Sequence, residues 1–200
     1  MNKHFADPAG GFFNSQKSAG LLTRVKETYD GAEPSGNSVS ALNFLRLGRL
    51  LNKSEWLETA EKTIKAFGKT LEAQGSAMPL LLKASVIFHQ SPKQVIICGS
   101  ADGQDTQKLL DVANSKYLPG LQILLMDDDE NFRLPHESPA YLHDMKKKND
   151  KATAYLCTNY SCQAPTNEAE ELLKLLDDNF FENTNCNENS TNKYTSNSLR

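Results

Sequence analysis

The stretch between residues 94 and 126 restricts the fold more than any other part of the sequence. Two short apolar runs, residues 94–98 and 121–126, predict buried strands because each is rich in Val, Ile or Leu and too short for a helix. The segment between them, residues 102–117, predicts an amphipathic helix. Strand, helix and strand within about 30 residues predict a βαβ unit with parallel strands and a right-handed crossover.

Three helical segments are predicted before this unit. Residues 37–52 are apolar nearly all round, which is typical of a buried helix. Residues 54–74 have a single apolar stripe and predict a surface helix, whereas residues 76–89 are again broadly apolar. The order of buried, surface and buried helices suits a double-layered ring or a solenoid of helical hairpins, and a simple bundle also fits it.

The remaining predicted elements are shorter. Residues 10–26 resemble a two-stranded hairpin, residues 139–148 a short helix, residues 152–157 a third strand and residues 168–177 a last amphipathic helix. The Asn-, Ser- and Thr-rich end of the chain, from about residue 179, predicts a disordered tail.

Composition and charge argue against several classes of function. The net charge of −3 gives no basic face for a nucleic acid. No apolar run reaches the roughly 18 residues of a membrane span, and the first residues have no signal-peptide core. We therefore expect a cytoplasmic protein with no nucleic-acid or membrane partner, whose four cysteines are thiols.

The segment from Asp30 to Asn37 predicts a rigid polar turn that begins a buried helix. Gly31 and Gly36 allow backbone angles closed to other residues, and Pro34 stiffens the loop. Ser35 or Asn37 can cap the helix that follows. Three interpretations remain open for the acidic residues here: satisfying backbone donors in the turn, binding a ligand, or catalysis.

Three motifs together resemble the spermatogenesis-associated protein 20 family, which is also described as thioredoxin-domain-containing proteins with a six-hairpin glycosidase-like module. They are Gly10-Gly11-Phe12-Phe13 followed by residues 21–26, then residues 29–38, then residues 154–165. The resemblance covers roughly residues 9–178.

This resemblance implies a mainly α fold with a small α/β unit. The chain would be the C-terminal fragment of an (α/α)6 toroid with a βαβ insertion, and the rest of the toroid and a thioredoxin-like domain would lie in a longer parent. Residues 1–92 would hold the final helical hairpins with an N-terminal β-hairpin, residues 93–178 the βαβ-containing segment, and residues 179–200 the tail. An incomplete toroid would leave apolar faces uncovered, so we expect the isolated chain to self-associate.

The resemblance also implies a site, since loops that lead into inner helices line the cleft of such toroids. Asp30 and Glu33 are then the candidate catalytic pair, because paired carboxylates are the usual acid and base in glycosidic cleavage. Ser35 and Asn37 are the candidate substrate-binding residues for a carbohydrate ligand of the full-length parent. The family's activity is poorly defined, so a non-catalytic regulatory or scaffold role is the alternative.

Other candidate sites have weaker patterns, and we predict no cofactor and no metal. Cys157 and Cys162 have four residues between them, whereas redox and metal motifs prefer two, so buried structural thiols are favoured over a zinc or redox site. The loop at residues 99–103 lacks both phosphate-binding fingerprints. Acidic residues at the start of the helix after it would also repel a phosphate.

Overall fold

A computed structural model describes residues 2–181 with the exception of 130, 131 and 133. The first half of the chain is helical after a long irregular segment. Its helices, in chain order, are α1 (Asn2–Phe5), α2 (Gly36–Leu50), α3 (Ser54–Ala66), α4 (Gly68–Gln74), a 3₁₀ turn (Gly75–Ala77) and α5 (Pro79–His89).

A helical layer forms where α2 packs against both α3 and α5. Its core contains Ala41, Leu45, Ala60 and Leu81, each 1% exposed or less. The helices α2 and α3 approach closely at Gly48, where a Cβ atom would lie 2.9 Å from a methyl group of Leu57. Small residues on α2 therefore allow the tight packing that the sequence predicts.

The predicted helix over residues 54–74 is interrupted at Phe67. The ring of Phe67 is buried in the helical core, and Gly68 follows it directly. Phe67 itself has φ −109° and ψ 8°, outside the helical region, and α4 begins at Gly68.

The second half of the chain forms a mixed four-stranded sheet with helices around it. Its elements are β1 (Lys93–Cys98), α6 (Gln104–Asn114), β2 (Leu121–Met126), α7 (Ala140–His143), β3 (Thr153–Thr158), β4 (Ser161–Cys162) and α8 (Ala169–Phe181). The strand order is β2-β1-β3-β4, with β1 parallel to β2 and antiparallel to β3. The predicted βαβ unit is therefore confirmed.

The sheet has a core on each face. On one face the side chains of Val95, Ile97 and Leu156 pack with α6 and α8. On the other face Ile96 and Tyr155 pack with Leu142 of α7. All six residues of β1 are buried, as expected for a central strand covered on both faces.

The predicted fold class, a fragment of an (α/α)6 toroid with a βαβ insertion, is wrong. The protein is a sheet-containing α/β fold, because the mixed sheet is a complete layer with its own core on each face. The helices α2, α3 and α5 pack as one layer, and side chains of the sheet join it: the amides of Gln94 and Gln122 donate to the carbonyls of Arg49 and Arg46. Amphipathic patterns indicate which face of a helix is buried but not the partner that covers it, so the order of helices was compatible with the toroid that the family resemblance implied.

The predicted hairpin at residues 10–26 is also wrong. An isolated bridge joins Ala6 to Phe12, and a single backbone hydrogen bond runs from Asn14 to Val25. No continuous ladder forms, and side chains fix this segment instead. The predicted tail, residues 179–200, lies outside the described residues except for its first three, which continue α8.

Candidate functional site

Asp30 lies between the irregular N-terminal segment and the helical layer. One carboxylate oxygen accepts the backbone N–H of Ser35 at 2.9 Å, and the other accepts the N–H of Leu80 at 2.8 Å. Its own backbone N–H donates to the carbonyl of Ala77 at 2.9 Å. Asp30 therefore joins the turn before α2 to the first residues of α5, where orphan N–H groups and the helix dipole favour a negative charge.

These contacts alter the acidity of the Asp30 carboxyl group. Partial burial raises its pKa, but hydrogen bonds from the backbone of Ser35 and Leu80 and from the Ser38 side chain lower it more. The net pKa is below the ordinary value of 3.8. The group is therefore a carboxylate at neutral pH and has no proton to donate as a general acid.

Ser35, one of the two residues that the sequence offered as a cap, is the N-cap of α2. Its side-chain oxygen accepts the backbone N–H of Ser38 at 3.1 Å, and Ser35 itself is only 4% exposed. Glu33 is exposed, and its carboxylate makes no hydrogen bond or ion pair with a described residue. The structure thus places the two predicted acidic residues in different environments, one bound to backbone donors and the other in solvent.

Asn37 is 1% exposed, and its side-chain amide bonds to the backbone of the N-terminal segment. The oxygen accepts the N–H of Phe12 at 2.6 Å. The nitrogen donates to the carbonyls of Phe12 at 2.9 Å and Glu27 at 2.8 Å. The Asn37 amide pairs with the N–H and carbonyl of Phe12 as a neighbouring strand would. The side chain that was predicted to bind substrate is therefore used for internal hydrogen bonds.

Gly10 and Gly11 make this arrangement possible, although the sequence analysis used them only as part of a motif. Both have positive φ, at 102° and 78°. A Cβ on Gly10 would lie 2.3 Å from the carbonyl oxygen of Lys62, and one on Gly11 would lie 3.1 Å from the Asn37 oxygen. Paired glycines before an aromatic residue are the sequence signal for such a close approach.

Lys26 is a second residue that the sequence analysis missed. Its ammonium group forms an ion pair with Asp7 at 2.8 Å and donates to the carbonyl of Gly10 at 2.9 Å. Hydrogen bonding to Lys26 is the main cause that lowers the pKa of Asp7. Lys26 thus joins the end of the irregular N-terminal segment to the loop at residues 7–10. No local pattern in the sequence indicates this contact.

Acidic residues also lie beyond the carboxyl ends of the parallel strands, where α/β proteins often bind ligands. Asp105 accepts the N–H of Ala152 at 2.7 Å and the N–H of Thr106 at 3.0 Å, and the bond from Ala152 is the largest cause of its lowered pKa. Asp127 accepts the N–H of Ala101 at 3.3 Å. These carboxylates fix their own loops.

Cys157 and Cys162 form a disulfide, so the expectation that all four cysteines are thiols is wrong for this pair. The two residues lie directly opposite each other on β3 and β4. Cys98 is a buried thiol, and burial raises its pKa to about 11. Cys186 lies outside the described residues. Spacing along the chain did not indicate the pair, because the opposition depends on a two-residue turn between the strands.

The described residues contain no group of three or more His, Cys, Asp or Glu side chains that could hold a metal ion. No helix within residues 2–181, as far as these are described, is both long and apolar enough to cross a bilayer.

Fold and loop together define an α/β protein in which a helical layer adjoins a mixed sheet and a polar loop fastens an irregular N-terminal segment. Comparison with known proteins gives the family. The chain is 37% identical over 169 residues to human spermatogenesis-associated protein 20 and 35% identical over 179 residues to its mouse counterpart, covering 84% and 88% of the chain. An uncharacterized protein of Caenorhabditis elegans is 25% identical over 166 residues. The chain belongs to the spermatogenesis-associated protein 20 family.

The chain spans about a fifth of the length of the curated relatives it matches, 21% of the human protein and 22% of the mouse protein. No protein-family model matches the chain. No solved structure matches it either. The family assignment confirms the resemblance seen in the sequence motifs.

Proposed function

We propose that this chain is a non-catalytic structural module of the spermatogenesis-associated protein 20 family. In this proposal, the loop from Asp30 to Asn37 fastens the N-terminal segment to the helical layer. The observation that carries the proposal is the use of both Asp30 oxygens by backbone N–H groups from two different segments, Ser35 before α2 and Leu80 in α5.

The chemistry of the loop favours a fastening role over an acid–base role. A glycosidic general acid needs a carboxyl group whose pKa is raised toward neutrality, whereas the pKa of Asp30 is lowered. To act as a base or nucleophile, Asp30 would have to give up hydrogen bonds that hold α2 and α5 in place. Ser35 and Asn37 are likewise committed to backbone groups.

The experiment compares Asp30→Asn with Glu33→Gln. Each change removes one carboxylate, and the two positions are three residues apart. In Asp30→Asn, the amide NH₂ faces one of the two backbone donors, which loses its acceptor. The cost is about 1–2 kcal/mol of unfolding free energy. Glu33 is exposed, so Glu33→Gln should stay within about 0.5 kcal/mol of wild type. Urea unfolding monitored by circular dichroism measures both values.

The same pair of variants addresses carbohydrate binding, which the family resemblance implies for a longer protein. Glycan-array screening of the chain and of a full-length relative should give no signal that depends on Glu33. Loss of a sugar signal in Glu33→Gln with unchanged stability would overturn the structural proposal in favour of a carbohydrate site. Equal stability of Asp30→Asn and Glu33→Gln would also count against it.

The pH dependence gives a further check of the Asp30 contacts. Because the folded-state pKa of Asp30 lies below 3.8, its contribution is present above that pH and is lost as the pH falls through the folded value. The difference in unfolding free energy between wild type and Asp30→Asn should therefore be constant from about pH 5 to 7 and shrink below about pH 4. Growth of the difference on acidification would contradict the assigned contacts.

We also propose that copies of the isolated chain associate through the helical layer. The helices α2 and α5 pack together, yet each exposes two apolar side chains, Val39 and Leu47 on α2 and Leu82 and Val86 on α5, between 38% and 49% exposed. Exposed apolar groups of this kind favour association. Sedimentation should show a concentration-dependent mass that Leu47→Glu with Val86→Glu abolishes, whereas a wild-type monomer at all concentrations would refute it.

A further inference from the structure

The Cys157–Cys162 disulfide closes a two-residue hairpin at the edge of the sheet. The cysteines are opposed in the β3–β4 register, with Cα atoms 3.9 Å apart. Beyond them, the N–H of Gln163 donates to the carbonyl of Leu156 at 2.9 Å. The turn residues Asn159 and Tyr160 both have positive φ, at 51° and 63°, as a tight hairpin turn of the I′ type requires.

The two ends of the disulfide differ in their access to solvent. Cys157 is 1% exposed and lies in the core with Ile96 and Leu142. Cys162 is exposed, and both residues of β4 are exposed. A thiolate in solution can therefore approach the hairpin from the side of Cys162, while the sheet and α7 cover Cys157.

No other described cysteine competes for this disulfide. The free thiol of Cys98 is buried and lies opposite Thr153, four residues along β3 from Cys157. At about 3.3 Å per residue, that separation is roughly 13 Å, which is far too long for exchange between the two sulfurs. Thiol exchange at the hairpin thus requires a thiol from outside the described residues.

The hairpin turn also contacts the rest of the protein. The ring of Tyr160 packs edge-to-face on Tyr141, with centroids 6.3 Å apart, and the Tyr141 hydroxyl donates to Gln94 at 2.8 Å. The N–H of Asn159 donates to the carbonyl of Pro92 at 2.9 Å. The disulfide therefore stabilises a turn whose contacts reach the start of β1.

We propose that the Cys157–Cys162 disulfide is a thiol–disulfide exchange site, opened at Cys162 by small thiols of the glutathione class, and that reduction releases the turn that bears Tyr160. The thiolate of one small thiol attacks the sulfur of Cys162 and forms a mixed disulfide. The Cys157–Cys162 bond breaks, and its electron pair goes to the sulfur of Cys157, which takes up a proton. A second small thiol attacks the sulfur of the bound small thiol, which frees the Cys162 thiol and leaves one small-molecule disulfide. Two small thiols are thus oxidised as one protein disulfide is reduced.

The test uses the full chain with Cys186→Ser, so that the cysteine outside the described residues does not react. The folded protein is equilibrated in buffers of reduced and oxidised glutathione, quenched with an alkylating reagent and analysed by peptide mass spectrometry. The expected result is reversible reduction of Cys157 and Cys162 together, with any trapped glutathione on Cys162. In the reduced folded protein, Cys162 should be alkylated at least about tenfold faster than Cys157 or Cys98, because thiol reactivity follows exposure.

Two single variants and one further measurement complete the test. Cys157→Ser should form a glutathione adduct at Cys162, whereas Cys162→Ser should leave Cys157 unmodified in the folded state. Hydrogen exchange of the wild-type chain should show faster exchange at the Asn159 amide after reduction, with no change at Val95 in the centre of β1. This measurement needs no variant and remains valid if either single variant fails to fold.

Three results would overturn the proposal. The first is a disulfide that resists glutathione until the protein is unfolded in denaturant. The second is adduct formation at Cys157 rather than Cys162. The third is unchanged exchange at Asn159 after complete reduction, which would show that the turn is held without the disulfide.

Discussion

Replacement of Asn37 gives the sharpest measurement of how the N-terminal segment is held. Asn37→Ala removes three hydrogen bonds and leaves the N–H and carbonyl of Phe12 and the carbonyl of Glu27 without their partner. Phe12 is 5% exposed, so water does not readily replace the amide there, whereas Glu27 is exposed and its carbonyl can be hydrated. Two buried unsatisfied groups at about 1–3 kcal/mol each give a loss of about 2–6 kcal/mol.

Such a loss is a large share of the total stability of an ordinary domain, about 5–15 kcal/mol. With a urea dependence of about 2 kcal/mol per molar, the unfolding midpoint should fall by about 1–3 M. The matched control is Asn43→Ala, which makes the same change at an exposed position of α2 and should move the midpoint by less than about 0.3 M. Equal shifts for the two variants would refute the assignment of Asn37 as a backbone-bonding residue.

Asn37→Asp extends the same argument to pH. The carboxyl group would lie buried against the two carbonyl oxygens that now accept from the amide nitrogen, which raises its folded-state pKa above the ordinary value near 3.9. A raised folded-state pKa means that stability is retained below the unfolded-state pKa and is lost as the pH rises through the folded value. The variant should therefore be least stable at neutral pH and partly recover near pH 4, and a flat difference from wild type between pH 4 and 7 would contradict the buried geometry.

Two further substitutions test the packing around this region, each with a matched control in urea unfolding. Gly10→Ala should lose at least about 2 kcal/mol, because its φ is 102° and a Cβ would lie 2.3 Å from the carbonyl of Lys62. A Cβ on Gly36 would have no neighbour within 4 Å, so Gly36→Ala should be neutral or stabilising. Arg49→Met should lose about 2 kcal/mol, because the buried guanidinium donates to three carbonyls at the end of α5, whereas Arg46→Met at an exposed position should change little. If Gly36→Ala lost as much stability as Gly10→Ala, or Arg46→Met as much as Arg49→Met, the cause given for that pair would be refuted.

Local patterns in the sequence predicted the strands β1 and β2, the helix between them and the parallel pairing. They also predicted a cap of α2 at Ser35 or Asn37, because a cap depends on residues within one turn, and the structure has it at Ser35. The motifs around residues 29–38 and 154–165 led to the family that the relatives confirm. These features depend on periodicity, capping and short motifs, all of which are local in the chain.

The sequence singled out the turn from Asp30 to Asn37 but not the contacts that its side chains make. Asp30 and Asn37 are polar residues at a turn, and the sequence left backbone bonding, ligand binding and catalysis open. The partners that settle their contacts are distant in sequence: Leu80 is 50 residues from Asp30, and Phe12 is 25 residues from Asn37. No local pattern encodes which remote backbone group a side chain will reach.

The sequence by itself therefore determined the central strand–helix–strand unit, the helical character of the segments before it and the family that the chain resembles. Only the tertiary structure decided that these elements build a sheet-containing α/β fold rather than a toroid, because the partner of a buried face is a property of the whole packing arrangement. It likewise decided that Cys157 and Cys162 are joined, since a two-residue turn brings them into register. The same packing places the Asp30 carboxylate between the start of α2 and the start of α5, where it accepts hydrogen bonds from Ser35 and Leu80.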